Sequence, residues 1–392
     1  MPHPTAPATE GLPALVWVLT AGTFLMGTTE MVIAGILPDL ASDLDVSVSH
    51  AGLLVTAFAV GIIVGSPTMA LITLHLPQRR TLVLALAVFA AGHVIAALTS
   101  SFAVALAARL LTALAAGAFW SVGFVMATAA AGPDRATRAV SVMMGGLSVA
   151  TVIGVPAASL AGHVTSWRGV FWTLAALAVL VAVVIHRVVP GGEQRARVSV
   201  RSEIQALRQG RLWLSLAAAA LIMGGVLATY SYITPLLTGR TKIPTSAVPL
   251  VLALFGAGAL GGNMIGGRYG GHRPLRTAIP AAGATALTLL ALVPLASSPA
   301  AAVILIFATA LAGYTVNPIV TTLTMRYADA APTLASALST SSYNVGIASG
   351  SALAGQALTS PLGLNGPAVT GAALTALTLL PLTALALTRT SR

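Results

Sequence analysis

Two ionisable side chains stand where the surrounding sequence tolerates almost none. Glu30 lies in GTTEMVIAGILPDL, residues 27 to 40, and Arg109 in ARLLTALAAGAFW, residues 108 to 120. A charged side chain at the bilayer centre costs at least about 2.5–3.5 kcal/mol on insertion scales, so such a group is expected to face a cavity or to carry a proton. The chemistry open to the pair is proton loading: a carboxyl that takes up and gives back a proton, and a permanent cation whose approach decides which form it holds. A plain Glu30–Arg109 ion pair that only locks two helices is the competing reading.

Helical spacing puts Thr23, Met26, Gly27 and Ala34 on the face of Glu30, and Thr112, Ala113, Ala116 and Trp120 near that of Arg109. Further along, Tyr314, Asn317, Thr321 and Thr324 recur at 3, 4, 3, one wet helix face; Thr340, Asn344 and Ser351 do likewise, and Tyr230 stands in another span. Uncharged donors and aromatic surfaces suit a neutral amphipathic molecule better than an ion. Interhelical hydrogen bonding is the alternative for each residue taken alone. His93, without an acid at helical spacing, reads as a packing residue. No G-x-S-x-G elbow, HExxH pair or Walker loop occurs, so enzymatic chemistry and ATP-driven pumping are not expected. With no cysteine there is no thiolate metal site or disulfide, and no cofactor is called for.

The elements that must hold these residues are membrane helices. Of 392 residues 57% are hydrophobic and 7% charged, against about 25% charged in a soluble domain. Apolar stretches of the roughly 20 residues that cross a bilayer occupy 14–37, 51–74, 81–98, 102–130, 139–161, 169–189, 211–237, 247–267, 277–296, 300–325, 334–358 and 368–388. The alternation of a transmembrane barrel is absent. The expected fold is all-α, twelve transmembrane helices. MPHPTAPATEGLP carries no Lys or Arg before the first apolar run, so a cleaved signal is not expected.

The net charge of +11 is distributed by loop: sixteen basic residues, among them Arg79, Arg80, Arg135, Arg138, Arg268 and Arg273, fall on one side, and Arg168, Arg240 and Lys242 on the other. That positive-inside bias places both termini in the cytoplasm and removes any need for a nucleic-acid partner. The usage of Arg over Lys, with the wealth of Ala, suggests a GC-rich bacterial gene.

HRVVPGGEQRARVSVRSEIQALRQGR, residues 186 to 211, divides the chain into a first half, 1–189, a central loop, 190–210, and a second half, 211–392. Its arginines suit anionic headgroups, and SEIQALR reads as a short interfacial helix capped by Ser202, a solvated basic linker being the plainer reading. An internal repeat supports the division: Phe58, Gly61 and Gly65 recur 197 residues on as Phe255, Gly258 and Gly262, and Gly154 recurs 196 on as Gly350. Such glycines allow close helix approach, and packing alone accounts for them. Two pseudo-symmetric six-helix bundles follow, with a site expected at their interface near the midplane.

GGLSVATVIGVPAASLAG carries Gly146, Gly154, Pro156 and Gly162 on a helix that Pro156 should bend. With Trp167-Arg168 after it, the stretch is similar to the antiporter motif of drug:proton antiporters of the major facilitator superfamily. The spacing Gly154-Val155-Pro156 in place of an adjacent Gly-Pro resembles the branch of chloramphenicol, sugar and purine exporters. GTTEMVIAGILPDLASDLDVSVSHAG, AFAVGIIVGSP, ARLLTALAAGAFW and SSYNVGIASGSALAG look like the same branch, the actinobacterial chloramphenicol exporters above all. The superfamily's loop pattern is imperfect, with His75 and Gln78 in HLPQRR and Gly271 in GGRYGGHR, so no charge-relay gate is read there.

The resemblance implies a helix that packs against the other half and guides alternating access, and links Arg109 to proton coupling. The expectation is therefore a monomeric, multi-pass protein of the bacterial inner membrane exchanging protons for a small neutral amphipathic compound, chloramphenicol first. A sugar or nucleoside exporter of the same branch is the nearest alternative; a passive channel or membrane scaffold is the alternative of another class.

Overall fold

A computed structural model describes residues 12–73, 76–132, 135–189, 209–270, 273–327 and 332–387. The described residues form helices and no strands. Eleven helices are long and apolar enough to cross a membrane. The twelfth, Pro332–Thr359, is 28 residues long and richer in Ser, Thr and Gly. The chain is an all-α membrane protein of twelve transmembrane helices in two six-helix bundles.

In the first half, α1 runs Ala14–Met31 and resumes as Ile33–Asp43. Then come α2, Leu53–Thr73; α3, Gln78–Leu98; and α4, Phe102–Ala131. Helix α5 is Ala136–Val149, a π turn at Ala150–Gly154, and Val155–Thr165; α6 is Trp167–Val188. The second half repeats the plan: α7, Gly210–Ser231, prolonged by Ile233–Pro235 and a π turn; α8, Val248–Gly270; α9, Pro274–Leu295; α10, Pro299–Tyr327; α11, Pro332–Thr359; and α12, Gly366–Leu377 with Leu379–Leu387. The central-loop helix at SEIQALR, like His75 and Gly271, lies outside the described residues.

An even number of crossings brings Ala14 and Leu387 to one end of the bundle, the near end. The short connections 44–52, 99–101, 241–247 and 360–365 lie at the far end. The tightest far-end corner is Ser166, the single residue between α5 and α6, at φ +133°. Beside it Trp167 Nε1 donates to Asp43 at 2.8 Å, Arg168 ion-pairs with Asp43, and Arg168 donates to the Thr99 carbonyl at 3.0 Å. These contacts tie together the far ends of α1, α3 and α6.

The repeat in the sequence is a repeat of contacts. Side chains larger than hydrogen at Gly61 and Gly65 of α2 would strike Ala113 and Leu114 of α4. Their counterparts, Gly258 and Gly262 of α8, abut Ala310 and Leu311 of α10, each displaced by the same 197 residues. Without a hydrophobic drive between helices in lipid, this close approach supplies the dispersion contact that holds the pairs.

Candidate transport site

The antiporter-like helix is seated on α1 by its glycines. Gly146, Gly154 and Gly162 meet Thr20, Thr28 and Ile36, so that both helices register every eight residues. Pro156 has no N–H to give its helix, and the hydrogen-bond pattern widens into the π turn immediately before it. That turn meets the second half: a Cβ on Gly256 of α8 would lie 2.6 Å from the Thr151 carbonyl oxygen and 2.7 Å from Val152 Cα. Helix α1, which carries Glu30, therefore rides on the helix that touches the opposite bundle.

Glu30 is half-buried and lines a narrow cavity of about 10 Å³, room for about one water, between the halves. First-half walls include Met31, Ala34, Val55 and Phe58; second-half walls include Leu227, Tyr230, Ser231 and Ile347. Apart from the carboxylate, the Ser231 hydroxyl and the phenol, the lining is apolar. Ser231 spends its hydroxyl on the Leu227 carbonyl, 2.7 Å away, whereas the buried Tyr230 hydroxyl has no partner.

Arg109 is 3% exposed and stands behind Glu30 rather than against it. Its Nη1 donates to the Thr29 carbonyl at 3.0 Å and its Nε to the Leu54 carbonyl at 3.3 Å. The guanidinium lies 4.3 Å from the centroid of Phe58, a cation–π contact, while Nη2 is unpartnered. No direct ion pair joins Glu30 to Arg109 among the described residues; they interact through space. His93 completes the group. Its Nδ1 donates to the Phe89 carbonyl at 2.8 Å, which leaves Nε2 to accept from the Thr29 hydroxyl at 2.5 Å.

The other sequence candidates are placed in three ways. Thr23 and Met26 are fully buried and do not line the cavity, and the Thr23 hydroxyl bonds the Leu19 carbonyl at 3.0 Å. Thr112 turns to α3, where its methyl abuts Gly92, and its hydroxyl bonds the Arg109 carbonyl. Trp120 and Asn344 keep a buried polar atom unspent, Nε1 and Oδ1. Tyr314 is 8% exposed and edge-on to Phe255, and Asn317 offers its carbonyl to Tyr343 at 3.1 Å.

Ser49, Thr234 and Tyr232, which helical spacing did not single out, close the far end together with Ser351, which it did. Ser49 donates to the Gly355 carbonyl at 2.6 Å, and Thr234 to the Ala34 carbonyl at 2.6 Å. Tyr232 donates to the Ser351 carbonyl at 3.2 Å, its hydroxyl held between Gly52 and Gly355. Ser351 reaches the Gly52 carbonyl at 3.4 Å. The Ser49, Thr234 and Ser351 bonds cross from one half to the other beyond Glu30, and Tyr232, bonded within its own half, wedges its hydroxyl against Gly52 of the first. The cavity is thus closed at the far end.

Comparison with known proteins agrees with the architecture. The family model described as Major Facilitator Superfamily matches residues 19–351. The chain is 34% identical over 360 residues to a chloramphenicol resistance protein of Streptomyces lividans, covering 91% of this chain and 92% of that one. It is 28% identical to a probable sugar efflux transporter of Helicobacter acinonychis, with 89% of each chain covered. A crystal structure of a bacterial homolog of the human lysosomal transporter Spinster, inward-facing and unoccupied, superposes with TM-score 0.71 over 95% of both chains at 18% identity, a likeness of fold. The chain belongs to the major facilitator superfamily.

Proposed function

We propose that this chain is a proton-coupled exporter that exchanges protons for a small, mostly neutral amphipathic molecule, with chloramphenicol the first candidate. The observation that carries the reading is Glu30, a carboxyl in the wall of the cavity between the halves, with a fixed cation one residue behind it. The largely apolar remainder of the wall supports an uncharged cargo, and the Streptomyces relative's name supports its identity. Loop charge orients the chain with the arginine-rich near end in the cytoplasm. Far-end closure then shuts the cavity from the outside in this conformation.

In the cycle, the inward-open state gives up the Glu30 proton and takes cargo. Rocking about the α5–α8 contact breaks the far-end bonds, opens the cavity outward, and lets Glu30 take a proton as cargo leaves. With neutral cargo each proton carries one charge inward, worth about 2.3 kcal/mol per 100 mV, roughly a fiftyfold gradient. Expression in an efflux-deficient host tests the reading. Chloramphenicol accumulation should fall, and a protonophore should restore it; accumulation unaffected by the chain, for chloramphenicol and for a sugar and nucleoside panel alike, refutes export of this class.

A further inference from the structure

Helix α1 ends at Met31 and resumes at Ile33, and the last turn before this break is held from outside the helix. Three threonines of the segment, Thr20, Thr23 and Thr28, spend their hydroxyls on the carbonyl four residues back, at 2.8, 3.0 and 2.8 Å. Thr29 does not. Its hydroxyl crosses to α3 and meets His93 Nε2 at 2.5 Å. The far side of the ring fixes the direction of that bond: Nδ1 faces the Phe89 carbonyl at 2.8 Å, which can only accept, so Nδ1 carries the proton and Nε2 is left as the acceptor. Arg109 takes the carbonyl of the same threonine at 3.0 Å. Thr29 is thus gripped by its hydroxyl from α3 and by its carbonyl from α4, and the next residue is Glu30. The grip continues past the break. The His93 ring lies edge-on to Phe171, centroids 5.6 Å apart, Phe171 edge-on to Trp167 at 5.6 Å, and the Trp167 indole donates to Asp43 in the second segment of α1.

Helix packing alone does not call for this arrangement. Helices α7, α8 and α10 repeat α1, α2 and α4 at 197 residues, and α9 repeats α3 at 196, as the contact Gly92–Thr112 recurs in Thr288–Thr309. The counterparts of Thr29, His93 and Arg109 are Val226, Leu289 and Ile306, all buried beside Phe255, the counterpart of Phe58. Branched aliphatic groups therefore suffice at this place in the second half. The first half instead buries a hydroxyl, an imidazole and a guanidinium, which is costly unless each is bonded. The difference follows Glu30, whose own counterpart is Leu227.

We propose that His93 is a positioning residue for proton exchange, a fixed acceptor that holds Thr29 and through it keeps the Glu30 carboxyl turned to the space between the halves. Without that acceptor the Thr29 hydroxyl falls back on the Leu25 carbonyl, as its neighbours' hydroxyls do on theirs, and Arg109 alone holds the turn. The role of Glu30 comes from the exporter reading; the clamp itself stands on the hydrogen bonds and is readable without transport.

Nitrogen NMR of the full chain in nanodiscs, with His93 assigned by the loss of its signals in His93→Gln, tests the clamp. The parent should carry the ring proton on Nδ1, and Thr29→Val should move Nε2 downfield, to the position of an unbonded ring nitrogen. In proteoliposomes, His93→Phe keeps a ring and loses the acceptor, and should lower the ratio of proton-coupled export to cargo self-exchange about fivefold, the worth of one hydrogen bond. Thr29→Val should do the same, and it tests the same bond should His93→Phe misfold. The double variant should fall no further, whereas independent roles would multiply to about twenty-five-fold. His93→Gln should recover most of the ratio, since its amide oxygen can accept in place of Nε2. A proton on Nε2, an Nε2 signal indifferent to Thr29→Val, a parental ratio in the single variants, or losses that multiply in the double overturns the proposal. A parent that moves no protons with any cargo refutes the exporter reading instead, and the NMR result still decides the clamp.

Discussion

The Thr234 hydroxyl donates at 2.6 Å to the carbonyl of Ala34, the residue four before Pro38. A proline at that position has no N–H for the carbonyl, so α1 presents an unpaired acceptor to the cavity's far end and α7 satisfies it from the opposite half. The bond exists only while the far end is shut. Thr234→Val should therefore weaken the state with its far end shut by about 1 kcal/mol, a fivefold shift in population. Pro38→Ala should act in the same direction, by returning an intrahelical donor to Ala34. Since the chain has no native cysteine, Ile347→Cys is a unique reporter in the cavity wall. An impermeant maleimide applied from the far side should label it faster in either variant than in the parent.

Tyr232 occupies the neighbouring part of the same seal, with its hydroxyl against Gly52 of one half and Gly355 of the other. Tyr232→Phe should retain the plug and lose the bond to Ser351; Tyr232→Ala should lose both. Far-side labelling at Ile347→Cys is expected to rise modestly in the first and at least tenfold in the second. Equal rates in all three proteins would remove Tyr232 from the gate.

Arg109 bonds the peptide that precedes Glu30, together with the Leu54 carbonyl, through two different nitrogens. A lysine has one nitrogen and cannot span both acceptors while lying flat on Phe58. Arg109→Lys should keep the charge yet lower exchange at least about tenfold, at roughly 1.5–3 kcal/mol for each hydrogen bond of a charged group. Counterflow measured beside a thermal melt separates lost exchange from lost folding.

At the far-end corner, Ser166 holds φ +133°, a region costly for any residue with a side chain. Ser166→Gly should leave transport unchanged and stabilise the fold by about 1 kcal/mol, read as a rise in melting temperature. Asp43→Asn, by contrast, removes a pair whose members are 30% and 43% exposed, and should cost less than about 1 kcal/mol while the Trp167 hydrogen bond persists.

Much of this architecture was legible in the sequence because lipid imposes one simple rule on length and polarity. The stretch 102–130 became Phe102–Ala131 and 300–325 became Pro299–Tyr327. Helix α1 outran its expected end at 37 because Pro38 is accommodated within the helix, its missing bond supplied from α7. Side-chain direction was less legible. These helices are apolar all round, so a stripe such as Thr23, Met26 and Gly27 suits a cavity and a helix contact equally, and the neighbour decides. Thr112 sits on a proposed cavity face and packs on Gly92. Tyr232 gave no periodic signal, since its role depends on two glycines more than 100 residues away in either direction. Tyr343, beside Asn344 in SSYN, bonds Thr321 at 2.5 Å, a contact that spacing along its own helix does not signal.

Proton movement is the most direct test of Glu30 as the exchanged group. Purified chain in proteoliposomes loaded with a pH dye, without a membrane potential, should move protons against added chloramphenicol, or against whichever panel compound it exports. Glu30→Gln should bind that compound and exchange it for itself while moving no protons. A Glu30→Gln protein that still moves protons with cargo at the parent's rate contradicts the account.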